Sequence, residues 1–123
     1  MHSYSEILTF KQELIKFWHP EIEQCGVIRG GVVTQTPNLA PEPQDNFEMD
    51  REDLLDSTAT WHSHPSRIAN LSIADYWFFK YWGSHLHFIT SDEEVRCYVV
   101  VDGTVRNLDD EADHTSWILG RTS

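Results

Sequence analysis

Apolar residues recur at helical spacing near the start of the chain and define the first predicted element. Successive members of one stripe lie three or four residues apart, which is typical of an amphipathic helix that buries one face. Ser5 is available as the N-cap of this helix, and Pro20 should end it because proline cannot continue the helical hydrogen-bond ladder. The stripe consists of Ile7, Phe10, Leu14 and either Phe17 or Trp18.

Short runs rich in β-branched residues follow and predict strands. The first run, residues 25–34, contains three glycines, which favours a strand, a tight turn and a second strand. Two later runs are separated only by Asp102-Gly103, a strong hairpin signal. The other predicted strands cover residues 58–63, 86–90, 95–101 and 104–108.

Two further helices are indicated by capping residues. A proline-rich loop over residues 37–47 precedes a short segment that Asp50 could cap. Ser72 should open a helix running from Ile73 to Trp82, and Gly83 should end it. A helix inserted between strands, with a hairpin near the end, predicts an α/β fold.

Composition bounds the class of protein. A chain of 123 residues supports one domain with one modest core, and 40% hydrophobic residues indicate a globular protein. The start of the chain lacks the basic and apolar regions of a signal peptide, so we expect a soluble cytoplasmic protein. Cys25 and Cys97 are therefore expected to be reduced thiols, and they lack the spacing of a structural zinc site.

The formal charge is −11, from 20 acidic and 9 basic residues. Binding to nucleic acid or to anionic membranes needs clustered Lys and Arg, so neither partner is expected. A neutral or basic partner fits better, although acidity that merely keeps the protein soluble explains the charge equally well. Residues 109–123 are acidic and are read as either a short helix or a loose tail.

The stretch from residue 61 to 75 carries the candidate chemistry. In a strand, residues two apart face the same side, so His62 and His64 should present both imidazoles together while Ser63 points away. Pro65 should end that strand, and Asp75 should lie one turn into the next helix. Two imidazoles, one carboxylate and a water would make a tetrahedral zinc site with an open position.

A purely structural interpretation of the same residues stays open. Ser72 and Asp75 have the spacing of a helix capping box, in which the serine caps the helix and the acidic residue favours its dipole. Histidines two residues apart are also common without any metal. His85 and His87 share that spacing without a matching serine or aspartate, so we interpret them as structural or surface histidines.

The combination of these residues resembles a known family. His62-Ser63-His64-Pro65, followed after six residues by Ser72 and then by Asp75, is similar to the signature of the JAMM (MPN+) zinc metallopeptidases. These enzymes also have an upstream glutamate in a Glu-x-Cys-Gly segment, which Glu23-Gln-Cys-Gly matches. The resemblance covers about residues 5–108. It implies a single compact JAB/MPN domain of cytidine-deaminase-like fold, with a mixed sheet flanked by helices.

The resemblance also implies roles for individual residues. His62, His64 and Asp75 would ligate one Zn²⁺ per chain, with a water in the fourth position. Glu23 would be the general base, for which Glu21 is a less well-spaced rival, and Ser72 would hydrogen-bond the oxyanion.

A substrate contact and the absence of a serine nucleophile complete the expected site. Arg67 is a candidate substrate contact or an ordinary surface charge. Ser63 is a poor candidate for a nucleophile because its side chain should face away from the metal.

The implied activity is cleavage of a peptide or isopeptide bond at the C-terminus of a ubiquitin-like protein, whose tail would enter extended, by strand addition. The segment from Asn38, with Phe47 and Asp53 following, is similar to a stretch of phage tail-assembly JAMM proteins, so a phage tail-assembly peptidase or assembly factor is an alternative. A non-catalytic MPN-like scaffold is a further alternative, which the presence of all five functional positions disfavours.

Overall fold

The computed structural model describes residues 3–65 and 69–110, and it consists of one sheet with helices on its faces. None of the helices in those two ranges is both long enough and apolar enough to cross a bilayer. The helices are α1 (Tyr4–Leu14), α2 (Arg51–Leu55) and α3 (Ile73–Tyr81), with 3-10 turns at Ile15–Phe17 and Leu108–Asp110. The strands are β1 (Cys25–Arg29), β2 (Val32–Thr36), β3 (Ala59–Ser63), β4 (Leu86–Thr90), β5 (Val95–Val101) and β6 (Thr104–Asn107).

The six strands form a mixed sheet in the order β2-β1-β3-β4-β5-β6. All neighbours are antiparallel except β3 and β4, which run parallel and are joined through α3. The predicted α/β class with a mixed sheet and flanking helices is therefore confirmed. The hairpin at Asp102-Gly103 is confirmed too, since both residues have the positive φ angles, 51° and 76°, that this short connection requires.

The sheet buries side chains on both faces, as its central strand shows. Ala59 and Trp61 of β3 join the core against α1. His62, the residue after Trp61, points to the other face of the sheet, where its ring stacks on Phe47 and lies near Phe79. The α1 side of the core contains Ile7, Phe10, Leu14, Ile28, Phe88, Cys97 and Leu108. Alternation along β3 thus directs His62 toward the face that carries α3.

The first helix differs from its prediction at both ends. The N-cap is Ser3 and not Ser5, because Ser3 Oγ accepts the Glu6 N–H at 3.2 Å while Glu6 Oε1 accepts the Ser3 N–H at 2.8 Å. This reciprocal pair is a capping box, and Ser5 has no acidic residue three positions later with which to form one. The α-helix also ends at Leu14, before a single 3-10 turn, rather than at Pro20.

The other predicted helices agree with the structure to within a residue. Asp50 caps α2 by accepting the Glu52 N–H at 2.8 Å, and Ser72 caps α3. Trp82 is the C-cap of α3 rather than its last helical residue. The tail prediction falls largely on residues 111–123, which lie outside the described residues.

Candidate metal centre

The centre lies where β1 begins and β3 ends. Cys25, the first residue of β1, pairs with His62, and the pairing continues one step further because the Ser63 N–H donates to the carbonyl oxygen of Gln24 at 2.8 Å. Since antiparallel neighbours place the start of one strand beside the end of the other, Glu23 is brought to the level of His64. Residues far apart in sequence thus meet at one edge of the sheet.

The two imidazoles lie on the same side of β3, as the strand alternation predicts. His62 Nε2 and His64 Nε2 are 3.1 Å apart. The backbone of His64 is held by two contacts, since its N–H donates to Thr90 O at 2.9 Å and its carbonyl oxygen accepts the Trp18 indole N–H at 2.8 Å. Ser63 Oγ accepts the Gln24 N–H at 2.8 Å, so this hydroxyl serves the strand pairing.

The start of α3 supplies a carboxylate. Ser72 Oγ accepts the Asp75 N–H at 3.1 Å, and Asp75 Oδ2 accepts the Ser72 N–H at 3.2 Å, which completes the predicted capping box. Asp75 Oδ1 also lies 3.0 Å from His62 Nε2, and its Oδ2 lies 3.1 Å from His64 Nε2. The capping box therefore aims Asp75 at both imidazoles, so the same residue can cap the helix and face the histidines.

Protons alone cannot satisfy these three short contacts. Burial lowers the pKa of His62, so this imidazole is neutral. Burial on its own would raise the pKa of Asp75, but the contacts with His62 and His64 outweigh it and lower that pKa, so the carboxyl is ionised. Each Nε2 carries either a proton or a lone pair, so hydrogen bonds can form across two of the contacts, and the third then brings two N–H groups or two lone pairs together.

A cation bound by all three groups would remove this conflict. The separations of 3.0–3.1 Å are close to the spacing of about 3.3 Å between ligand atoms that follows from tetrahedral bonds of 2.0–2.1 Å. His62, His64 and Asp75 are also nearly or fully buried, with exposed fractions of 0%, 8% and 3%. The three groups therefore fit a small divalent cation in both chemistry and spacing.

Glu23 adds a second carboxyl to the centre. One ligand atom from each of Glu23, His62 and His64 lies within 4.8 Å of the other two, so this buried group could also hold a metal ion. Asp75 lies 3.0 and 3.1 Å from the two imidazole nitrogens, so either carboxyl could complete a ligand set with the two histidines. Burial raises the pKa of Glu23 to about 8, against the lowering effect of His64.

Two adjoining depressions open the centre to solvent. Their volumes are about 240 and 320 Å³, and both are lined by Glu23, Asp45 and Ser72. The first extends toward α3 and contains Asp75, and the second contains His64. The two depressions together form a cleft, and Glu23 and Ser72, the predicted catalytic residues, line it.

The remaining candidates fall outside the centre. Glu21 is exposed, in contrast to the buried Glu23, and Arg67 lies outside the described residues. His85 and His87, interpreted from the sequence as structural or surface histidines, are buried and structural: His85 Nε2 lies 2.8 Å from Leu54 O, and His87 Nδ1 lies 2.7 Å from the Thr60 hydroxyl.

Both cysteines are free and buried, in agreement with the expectation of reduced thiols. Burial raises the pKa of Cys25 to about 11 and that of Cys97 well above its usual range. At neutral pH neither sulfur is a thiolate, so neither is a nucleophile or a ready metal ligand.

Two residues to which the sequence assigned no role help to build the centre, and both belong to the loop between β2 and α2. Asn38 Nδ2 donates to the carbonyl oxygen of Glu23 at 2.7 Å, while Pro43 O accepts the Glu23 N–H at 2.7 Å. Phe47 stacks on His62 with ring centroids 4.1 Å apart and an interplanar angle of 20°. The similarity to tail-assembly proteins singled out Asn38 and Phe47, but periodicity carries no signal for either.

Comparison with known proteins supports the fold and gives no information about the chemistry of the site. No family model matches the chain, and no curated protein matches it. Among solved structures it is similar to the solution structure of protein DSY2949 from Desulfitobacterium hafniense, with a TM-score of 0.54 and 20% sequence identity. The match covers 85% of this chain and 86% of that one. At this identity the likeness shows a shared fold alone.

Proposed function

We propose that this protein is a zinc metallopeptidase of the JAMM (MPN+) type, with a JAB/MPN domain, that hydrolyses a peptide or isopeptide bond at the C-terminus of a ubiquitin-like protein. The observation that carries the proposal is the convergence of His62, His64 and Asp75 at contacts of 3.0–3.1 Å, with Glu23 beside them. These four positions are among those to which the similarity to the family assigns roles.

Zinc suits the donor set. Two imidazoles and one carboxylate, without sulfur, form the ligand set of hydrolytic zinc sites that keep an open position. Bound there, zinc would lower the pKa of a water molecule and polarise the carbonyl group of the substrate. The protein's part is to hold three ligands at the correct spacing and to place a proton carrier and a hydrogen-bond donor around the reacting bond.

Glu23 is suited to carry the proton. Its carboxyl is buried beside the imidazoles, and its pKa of about 8 lies near neutral pH, where a group can both accept and release a proton. A nearby divalent cation would lower this pKa and favour the ionised form that a general base requires. In the proposed reaction, Glu23 takes a proton from the attacking water and delivers it to the leaving amine.

Ser72 is suited to stabilise the oxyanion. Its Oγ accepts the Asp75 N–H, which leaves the hydroxyl proton available to donate. Ser72 also lines both depressions of the cleft, where a substrate carbonyl would lie. A hydrogen bond donated to the developing charge is typically worth about 3 kcal/mol in the transition state.

The surface beside the cleft favours a protein substrate. Ile73, Trp77 and Tyr81 lie four residues apart on α3 and are 81%, 61% and 71% exposed, so they form an apolar face that begins next to Ser72. Contiguous exposed apolar side chains mark sites of protein interaction.

The same reasoning applies to a phage tail protein as substrate, which is the second candidate. The complete ligand set disfavours a non-catalytic scaffold.

Elemental analysis and three variants test the proposal. Protein purified without chelators should contain about one zinc per chain, and Asp75→Asn should lose most of it. Glu23→Gln should retain zinc but lose cleavage of a fusion between a ubiquitin-like domain and a reporter. Glu21→Gln is the matched control, because it makes the same change two residues away on an exposed side chain, and it should retain both zinc and activity.

Three outcomes would overturn the proposal. Protein that holds no zinc after loading with Zn²⁺ would remove the metal centre. Iron as the resident metal would point to a different chemistry, because two histidines and a carboxylate also bind non-haem iron. Full cleavage by Glu23→Gln would contradict the role of Glu23.

A further inference from the structure

We propose that Phe47 is a positioning residue that sets the ring plane of His62, in place of the hydrogen bond that usually holds the far nitrogen of a metal-bound histidine. This inference rests on the proposed metal site. It assigns to a residue of the loop between β2 and α2 a direct influence on how tightly the metal is held.

The far nitrogen of His62 has no polar support. Nε2 faces His64 and Asp75, whereas Nδ1 is buried and has no hydrogen-bond partner among residues 3–65 and 69–110. Metal-bound histidines almost always donate this second N–H to a carboxylate, a carbonyl or water, which fixes both the tautomer and the orientation of the ring. In His62, packing must supply that constraint.

Phe47 is the residue placed to supply it. Its ring lies nearly parallel to the imidazole, at 4.1 Å and 20°, whereas Phe79 is more distant at 6.1 Å and tilted by 58°. Phe47 is itself held edge-on by Phe78, with centroids 5.0 Å apart. A stacked ring restricts rotation of the imidazole about its Cβ–Cγ bond, and this rotation is the motion that would carry Nε2 away from the metal.

The loop that carries Phe47 is tied to the same strand end. Asn38 Nδ2 donates both to Glu23 O, at 2.7 Å, and to Asn46 O, at 2.9 Å. The residue before Phe47 is thereby linked through one amide group to the backbone of the proposed base. One loop thus positions a ligand and the proton carrier together.

Zinc affinity in four proteins tests the role of Phe47. The dissociation constant for Zn²⁺ is measured by competition with a chromophoric chelator for wild type, Phe47→Ala, Phe47→Tyr and Met49→Ala. Phe47→Ala should weaken zinc binding about 10- to 100-fold, the usual effect of removing a residue that orients a metal ligand. Phe47→Tyr keeps the stacked ring and should remain within about threefold of wild type on the same grounds.

Met49→Ala is the matched control for lost packing. Met49 is buried in the apolar cluster against which Phe47 packs, so its truncation also loosens the loop's contacts but leaves the ring on His62. Zinc affinity should stay within about threefold of wild type. Urea unfolding in excess chelator measures the stability of each metal-free protein separately, and Phe47→Leu, which keeps much of the apolar volume, replaces Phe47→Ala if that variant does not fold.

The outcomes separate this inference from the proposed function. Wild-type protein that fails to bind zinc would refute the metal site itself. Tight zinc binding by wild type together with undiminished binding by Phe47→Ala, or equal weakening in Met49→Ala, would refute the role of Phe47 and leave the proposed function intact.

Discussion

Asn38 provides a demanding test of how the loop is joined to the sheet, because its amide uses all of its hydrogen-bonding positions. Nδ2 donates to the carbonyl oxygens of Glu23 and Asn46, at 2.7 and 2.9 Å. Oδ1 accepts the N–H groups of Ala40 and Glu48, both at 3.0 Å. A hydrogen bond contributes a net 0.5–1.5 kcal/mol, and these four are part-buried or exposed, so Asn38→Ala should lower the free energy of unfolding by roughly 2–4 kcal/mol.

Asn38→Asp sharpens the test because it keeps the shape and changes the chemistry. It would place an oxygen opposite two carbonyl oxygens at 2.7 and 2.9 Å, so it should destabilise at least as much as Asn38→Ala. Urea unfolding followed by tryptophan fluorescence, in excess chelator to exclude any contribution from metal, measures the difference. Asn70→Ala, an exposed asparagine, is the control and should change stability by less than about 0.5 kcal/mol. Wild-type stability in Asn38→Asp would refute the hydrogen-bond assignment.

Two further predictions concern the sheet. A Cβ on Gly26 would lie 2.1 Å from Thr34 O and 2.6 Å from the Trp61 ring. Gly26→Ala should therefore lower the free energy of unfolding, measured in urea, by about 2 kcal/mol or more. Gly83→Ala is the control, and it should lower that free energy clearly less because the nearest atom to its Cβ lies at 3.3 Å. Burial lowers the pKa of His87 to about 3, so the unfolded chain binds a proton that the folded protein rejects as the pH falls below 6.5. This one group should remove about 2 kcal/mol of stability between pH 7 and pH 5, and a pH slope no shallower in His87→Gln than in wild type would contradict the reasoning.

Local patterns were sufficient to predict much of the fold. Runs of β-branched residues predicted the strands and capping residues predicted the start of α3, because these signals are short-range and do not depend on the rest of the chain. The error at the first N-cap was avoidable, since Ser3 and Glu6 have the capping-box spacing in the sequence itself. The early end of α1 was harder to predict from the sequence. Phe17 still packs against Trp61, at 4.8 Å, so the apolar stripe continues although the helix type changes.

The positions of site residues were predictable where strands and helices carry them, and they were not predictable where a loop carries them. His62 lies in β3, His64 follows directly after its last residue, and Asp75 follows from the helix cap, so their proximity could be expected from periodicity. The loop that carries Asn38 and Phe47 has no periodicity, and its course depends on hydrogen bonds to a strand that is distant in sequence. The positions of such residues become known only from the tertiary structure.

The burial of both cysteines gives the protein a practical property. The chain contains two cysteines, and Cys25 and Cys97 are both fully buried with raised pKa values. Labelling reagents act on accessible thiolates, so they should leave the native protein unmodified. A cysteine introduced at an exposed position, such as that of Trp77, would then be the single reactive thiol of the molecule. A fluorophore attached there would report the binding of the proposed protein substrate while every native core residue stays in place.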